Sequence, residues 1–87
     1  MEITIVYSEP EQIKDVKDDG FILLDENNFK TRKKAFQAKG AVGARKTPLV
    51  IVKSDDGEYL KVFYREEFED PIKQFNQFYK QYKELYA

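Results

Sequence analysis

Side chains that could do chemistry are concentrated in three places along the chain. Tyr7 and Ser8 follow an apolar run, and Pro10 comes shortly after them. A basic stretch covers residues 30–34, and an acidic stretch covers residues 66–70. The first place is the natural position for a reactive thiolate, because a helix start lowers the pKa of a thiol through its free backbone N–H groups and its dipole. The chain has no cysteine to put there.

The absent residue types restrict the chemistry further. The 87 residues include neither Cys nor His. Without Cys there is no disulfide, thiolate nucleophile or Cys metal site. Without His the commonest general base near neutral pH and the commonest metal ligand are lost. We therefore expect a protein that is not an enzyme and has no catalytic residue and no metal site.

Composition predicts one domain that covers residues 1–87. The hydrophobic fraction of 41% and the aromatic fraction of 15% are enough for one core. The net charge of −1 gives no overall attraction to nucleic acid or to acidic membranes. No apolar run approaches the roughly 20 residues of a membrane span, and the start of the chain does not resemble a signal peptide. We expect a cytoplasmic protein without a membrane or nucleic-acid partner.

The charged stretches each allow two interpretations. The basic residues could form a phosphate-binding patch. We favour a solvated helix face, because the acidic residues elsewhere in the chain leave no positive electrostatic potential around the patch. The basic residues are Lys30, Arg32, Lys33 and Lys34, with Lys39, Arg45 and Lys46 nearby. The acidic stretch could hold a carboxylate pair for acid–base chemistry, but we favour a role at the start of the helix that follows. Asp55-Asp56-Gly57 lacks the spacing of a calcium loop and predicts a turn.

The first half of the chain predicts two strand–helix units. β-Branched and aromatic residues indicate a strand over residues 3–7, and Ser8-x-x-Glu11 has the pattern of a capping box for a short helix that ends at residues 18–20. A second strand covers residues 21–24. We expect a helix from about Phe29 to Lys39, with Asn27 or Asn28 as its N-cap and Gly40 after its end.

The second half predicts a hairpin and a long helix. The apolar residues 49–52 suit a strand that is covered on both faces. A turn at residues 54–57 leads to an edge strand over residues 58–64, protected by Lys61. Asp70-Pro71 starts the last helix. We assign its apolar stripe to the core: Ile72, Phe75, Phe78, Tyr79, Tyr82, Leu85 and Tyr86.

The predicted fold class is α/β, with element order β-α-β-α-β-β-α and a four-stranded mixed sheet with helices on both faces. Right-handed crossovers make the first two strands parallel neighbours, and the short turn makes the last two antiparallel. The most apolar strands, 3–7 and 49–53, should be central. The first and third helices should cover one face and the second helix the other.

This element order resembles the minimal thioredoxin fold, and at the residue level the chain is most similar to glutaredoxins. Three features carry the resemblance. Tyr7-Ser8-Glu9-Pro10 is similar to the Y-S-x-P that precedes the C-x-x-C of that family. Thr47-Pro48 is similar to its cis-proline element, and the chain ends in an Asp-Gly hairpin followed by an amphipathic helix.

The resemblance implies a redox-inactive member of that family. The two sulfur positions are occupied by Gln12 and Asp15, neither of which can exchange disulfides. The Thr47–Pro48 bond is expected to be cis. The family binds glutathione through the residue before that proline and through a glycine-rich turn, but residues 65–70 contain four carboxylates and no glycine. We therefore expect no cofactor, with glutathione as the alternative.

The expected function is that of a non-catalytic interaction module that binds a protein partner. The predicted groove consists of Tyr7, Ser8, Pro10, Gln12, Lys46, Thr47 and Pro48, with a basic rim of Lys30, Arg32, Lys33, Lys34 and Arg45. An extended peptide could pair with its backbone. The alternative is residual glutathione or small-molecule binding, or a thiol-independent glutaredoxin-like activity that uses Tyr7 or Ser8 as a hydrogen-bond donor. A third hypothesis is weak nucleic-acid binding through the second predicted helix, with a steep salt dependence.

Residue usage gives a hint about the source. Lys, Phe, Tyr and Asp are frequent, as is typical of AT-rich genomes. A phage or a low-GC bacterium would fit, with the module as an assembly component in the host cytoplasm or in the particle. The sequence does not indicate the partner or the oligomeric state.

Overall fold

The computed structural model describes residues 1–17 and 20–86, and within these ranges the chain forms four strands and two α-helices. They are β1 (Glu2–Tyr7), β2 (Ile22–Asp25), α1 (Arg32–Val42), β3 (Leu49–Lys53), β4 (Tyr59–Phe63) and α2 (Pro71–Tyr86). A 3-10 helix, Pro10–Ile13, lies between β1 and β2. The predicted end of the first helix at Asp18-Asp19 lies outside the described residues.

The strands form one mixed sheet in the order β2-β1-β3-β4. β1 and β2 are parallel, with Tyr7 opposite Asp25, and β1 and β3 are antiparallel, with Val6 opposite Leu49. β3 and β4 form the antiparallel hairpin, with a register shift between Val52 and Lys53. The predicted directions of both strand pairs and the central positions of β1 and β3 are confirmed.

Two apolar clusters lie on opposite faces of the sheet. One joins β1, β3 and β4 to α2 through Ile3, Ile5, Val50, Val52, Phe63, Ile72 and Phe75, and Ile13 and Val16 pack against it. The other joins the sheet to α1 through Val6, Leu24, Ala35, Ala44, Leu49 and Ile51. β3 contributes to both, because successive side chains of a strand point to opposite faces. The prediction that α1 covers the face opposite α2 is confirmed.

The first predicted helix is shorter than expected, and its capping box is wrong. Only a four-residue 3-10 helix forms, and Glu9 rather than Ser8 occupies its N-cap position. The side chain of Gln12 accepts a hydrogen bond from the Ser8 N–H at 2.8 Å, whereas Glu11 turns outward to pair with Lys14 at 2.8 Å. The side chain that bonds back to the Ser8 backbone and closes this turn is therefore that of Gln12, not that of Glu11.

The predicted start of α1 is also wrong, because Asn28 forms a turn instead of capping a helix. Its carbonyl accepts hydrogen bonds from the Thr31 N–H (3.1 Å) and the Arg32 N–H (2.8 Å), and its side chain accepts one from the Lys30 N–H (2.8 Å). The Thr31 hydroxyl donates to the Asp25 carbonyl at 2.7 Å. Asn and Thr side chains that bond to nearby backbone in this way favour turns over helix, so the helix begins at Arg32.

The end of α1 lies three residues beyond the prediction. Gly40 is helical, and Gly43 is the C-cap with a left-handed φ of 71°. Its N–H bonds to the carbonyls of Gly40 and Lys39. Glycine is the residue that adopts this conformation without a steric penalty, so the second glycine of the pair terminates the helix.

The last helix begins as predicted, but its apolar stripe is only partly core. The Asp70 carboxylate accepts a hydrogen bond from the Lys73 N–H at 3.2 Å, and Ile72 and Phe75 are buried. Leu85 and Tyr86 are 79% and 74% exposed. Sixteen helical residues span about 24 Å, whereas the five-residue strands beneath them span about 17 Å. The helix is too long for the sheet to cover its last turn.

Phe75 is the side chain on which the α2 face of the core depends most. It is fully buried and makes ring contacts with Phe21, Phe63 and Tyr79 at centroid distances of 5.4, 5.9 and 5.5 Å. We expect Phe75→Ala to lower the free energy of unfolding by about 3–5 kcal/mol, because it removes buried contacts and leaves a cavity. Urea titration followed by circular dichroism measures the change.

Leu85→Ala in the same helix is the matched control. Its side chain is 79% exposed, so we expect a change within about 0.5 kcal/mol. A loss for Leu85→Ala as large as that for Phe75→Ala would contradict this description of the core.

Candidate functional site

Three polar side chains join the end of β1 to the segment before β3. The hydroxyls of Ser8 and Thr47 lie 2.9 Å apart. The Ser8 hydroxyl donates to Gln12 Oε1 at 3.2 Å, and Gln12 Nε2 donates to Thr47 Oγ1 at 3.2 Å. The three bonds close a ring in which the Thr47 hydroxyl donates to Ser8, because the Ser8 proton is already directed at Gln12. Residues that are 39 positions apart in the sequence therefore form one polar unit.

The orientation of the Gln12 amide follows from its neighbours. Its oxygen faces the backbone N–H groups of Ser8 (2.8 Å) and Glu9 (3.4 Å), which are donors only. Its nitrogen must therefore face Thr47, where it also donates to the backbone carbonyl at 3.3 Å. Gln12 is therefore hydrogen-bonded to the Thr47 carbonyl, which is the acceptor that an extended peptide would need in order to pair with this segment.

Thr47 precedes a buried proline. The Thr47–Pro48 bond is cis, as the sequence resemblance predicted, and Pro48 lies directly before the fully buried Leu49. The Thr47 N–H donates no hydrogen bond within residues 1–17 and 20–86. One backbone group of Thr47 is therefore occupied by Gln12, while the other is available.

The remaining groove residues surround this polar unit. Tyr7 is half-buried, and its carbonyl accepts a hydrogen bond from the Glu26 N–H at 2.8 Å. Asn27 Nδ2 donates to the Ser8 carbonyl at 2.7 Å. Pro10 and Lys46 are exposed. The side of the groove formed by Tyr7 and Ser8 thus has its carbonyls satisfied by the segment after β2.

An open depression of about 590 Å³ extends from the groove along the start of α2. Gln12 and Pro48 form part of its lining. It also contains four carboxylates and three cations, which are Glu11, Asp15, Glu69, Asp70, Lys14, Arg65 and Lys73. The surface beside the groove is therefore highly charged but close to neutral overall. Asp15, the second position that the resemblance assigns to a sulfur, is exposed in this surface and accepts a hydrogen bond from Asn76 through its backbone carbonyl.

Within the described residues, two members of the predicted basic rim lie against a different depression from the groove. Arg32 and Lys33 line this open depression together with Phe29, Phe36 and Gln37. Lys30 and Lys34, their neighbours in the sequence, are exposed. Arg45 lies nearer the acidic stretch, since its backbone N–H donates to the Glu66 carboxylate at 2.6 Å.

The groove can bind through hydrogen bonds, but it does not contain an activated nucleophile. The hydrogen-bond partners of the Ser8 hydroxyl are another hydroxyl and an amide, and neither accepts a proton near neutral pH. Two exposed groups in the described part of the chain have pKa values that depart from their ordinary range. The hydrogen bond and charge of Glu11 raise the pKa of Lys14, and the hydrogen bond from Ser54 lowers the pKa of Asp56. Both shifts arise in local surface pairs outside the Ser8–Gln12–Thr47 unit.

Neither a metal site nor a membrane-spanning helix is found among the described residues. No group of three or more Asp, Glu, His or Cys side chains within residues 1–17 and 20–86 is arranged to hold a metal ion. In the same part of the chain, no helix combines the length and apolar character that crossing a membrane requires.

Comparison with known proteins does not supply a family. No protein-family model, curated protein or solved structure matches this chain. The description of the site therefore depends on its own geometry.

Sequence reasoning located the two sides of the groove but missed the contacts that join them. The pair Ser8 and Gln12, four residues apart, was a local signal for a side chain that reaches back to the start of the turn. No local signal connects Gln12 to Thr47, which lies 35 residues away. That contact exists because β1 and β3 pair side by side.

Removing the Thr47 hydroxyl tests whether the ring of hydrogen bonds stabilises the fold. Thr47→Val keeps the shape of the side chain but removes the hydroxyl that donates to Ser8 Oγ and accepts from Gln12 Nε2, while the bond from Ser8 to Gln12 Oε1 remains. We expect a loss of about 1 kcal/mol in the free energy of unfolding, measured by urea titration. Thr4→Val is the control, because Thr4 is a half-buried β1 residue that makes no side-chain hydrogen bond in the described part of the chain. Equal effects of the two substitutions would contradict a stabilising ring.

Proposed function

We propose that this chain is a non-catalytic, thioredoxin-like protein-interaction module that binds an extended peptide in the groove between Tyr7–Gln12 and Lys46–Pro48. The available Thr47 N–H, next to the buried Pro48, is the observation that carries the proposal. An unpaired backbone donor at the end of a strand is a natural start for pairing with a peptide backbone.

The arrangement of elements supports the thioredoxin-like part of the proposal. The strand order β2-β1-β3-β4, the directions of the strands and the cis-proline before β3 all agree with the fold that the sequence resembles. The position that would carry the first sulfur holds Gln12, whose amide is engaged by Ser8 and Thr47. A hydrogen-bonded amide supports binding rather than disulfide exchange.

Peptide binding follows from the state of the two Thr47 backbone groups. In this proposal the Thr47 N–H, which has no hydrogen-bond partner within residues 1–17 and 20–86, donates to a peptide carbonyl. The carbonyl is held by Gln12 Nε2 at 3.3 Å, a long hydrogen bond that a peptide N–H can replace. The Gln12 amide would then turn toward the peptide. The mixed charges of the adjoining depression fit a partner that carries both acidic and basic side chains near the paired segment.

Affinity capture with a matched pair of variants tests the groove. The tagged protein is used to capture partners from lysate of its source, with identification by mass spectrometry. We expect Thr47→Lys to lose the partner, because a long charged side chain would block the groove. Gln81→Lys is the control, since it adds the same charge to an exposed position of α2.

The result has a direct interpretation once the variants are shown to be folded by circular dichroism. A partner that binds the wild type and Gln81→Lys but not Thr47→Lys supports the groove. A partner retained by Thr47→Lys would contradict it and move the site elsewhere. Tyr7→Lys serves as a second blocking variant if Thr47→Lys is unstable.

Residual glutathione binding is the alternative function, and the acidic residues just before α2 disfavour it. The resemblance assigns a ligand carboxylate to residues 65–70, where Glu69 and Asp70 line the depression, and like charges repel. We expect no change in the melting temperature at 10 mM glutathione. A dissociation constant of 1 mM would give about 1.4 kcal/mol of stabilisation at this concentration, which corresponds to a rise of several degrees in a domain of this size. Such a rise would favour the alternative.

A further inference from the structure

The most unusual surface of the molecule lies at the start of α1. Phe29 is 94% exposed and Phe36 is 52% exposed, and both line the same open depression of about 620 Å³. We refer to the surface formed by Phe29, Lys30, Arg32, Lys33, Lys34, Phe36 and Gln37 as the ring–cation surface. It lies on the opposite face of the sheet from α2.

Phe29 is exposed but lies on a turn with several hydrogen bonds. The preceding residue, Asn28, accepts three backbone N–H groups, and the Thr31 hydroxyl bonds to the Asp25 carbonyl. These bonds hold the backbone on both sides of Phe29. An exposed apolar ring on an ordered turn favours binding of a ligand, because the backbone loses little further conformational entropy when the ligand binds.

Phe36 is held in place from beneath. Lys39 Nζ lies 5.4 Å from the centroid of its ring, a cation–π distance. The same ammonium pairs with Glu26 at 2.8 Å, and both side chains of that pair are largely buried. The Phe36 ring therefore lies next to an ammonium group that Glu26 holds in place, while about half of the side chain is exposed to solvent.

The cations of this surface are available. Within residues 1–17 and 20–86, Lys30, Arg32, Lys33 and Lys34 form no ion pair. Four positive charges within residues 30–34 repel one another, and an anionic ligand would relieve this repulsion. The net charge of −1 for the whole chain conceals this local excess.

We propose that the ring–cation surface binds single-stranded nucleic acid, with Phe29 and Phe36 stacking on bases and the four cations contacting phosphates. A single strand supplies flat aromatic faces and negative charges, which matches two rings with four cations between them in the sequence. The only apolar lining residues of the depression are the two rings. Asp and Glu side chains of an acidic peptide could pair with the cations but offer no flat face to stack on the two rings, so the observations favour the nucleic acid.

Fluorescence anisotropy with labelled dT20 tests this proposal on the intact chain. We expect Phe29→Ala and Phe36→Ala each to weaken binding by roughly 5- to 150-fold, the range for loss of one stacked base. Tyr59→Ala is the matched ring control. Tyr59 is 50% exposed and lies 4.7 Å from Lys53 Nζ, but it belongs to β4 rather than to this surface. We expect no change for that variant.

Salt dependence tests the cations separately. Each phosphate contact with a single strand contributes about 0.7 to the slope of log K against log salt. Four contacts predict a slope near −2.8, and Lys33→Gln/Lys34→Gln should reduce its magnitude to about 1.4. Lys80→Gln/Lys83→Gln, on α2, is the matched charge control and should leave the slope unchanged.

Three results would overturn the proposal. The first is a lack of dT20 binding at low salt. The second is binding that neither ring substitution weakens, because it would show only general attraction to a polyanion. The third is equal or tighter binding of poly-glutamate, which would assign the surface to acidic proteins. Weaker binding of a 20-base-pair duplex than of dT20 would support the proposal, since paired bases do not offer their faces for stacking.

Discussion

The antiparallel pairing of β1 with β3 is the constraint on which the rest of the structure depends. These two strands occupy the centre of the sheet, and β3 is buried on both faces from Leu49 to Val52. Their side chains alternate between the two apolar clusters, so the same pairing supports α2 on one face and α1 on the other. A shift of the register by one residue would exchange the two sets of side chains and disrupt both clusters.

The same pairing creates the groove. Val6 lies opposite Leu49, so the residues that follow β1 meet the residues that precede β3 at one edge of the sheet. Ser8 and Thr47 come into contact there, and Gln12 completes their ring of hydrogen bonds. The groove is thus a direct consequence of the central register. Its polar ring can bind a ligand by hydrogen bonds, but its hydroxyls and amide offer no group for thiol or acid–base chemistry.

The two candidate surfaces differ in their physical character. The groove offers backbone groups near a surface of mixed charge, which suits a polypeptide. The ring–cation surface offers two rings and four cations, which suits a single-stranded nucleic acid. They share no lining residue in the depressions described here, so the sheet can present both at once.

The sequence by itself determined the strands, their directions and the α/β class, because apolar periodicity and short connections restrict how a sheet can form. It also indicated both sides of the groove and the start of α2 at Asp70-Pro71. The sequence patterns predicted the wrong helix starts at Ser8 and Asn28. The side chain that bonds back to Ser8 is that of Gln12 and not Glu11, and the Asn28 side chain forms a turn instead of a helix cap. Only the tertiary structure decided which apolar residues remain exposed. Phe29, Phe36 and Leu85 are apolar but exposed. Phe29 lies on a turn, and Leu85 lies in the last turn of a helix that is longer than the sheet. Burial depends on what packs over a residue and not on its type alone.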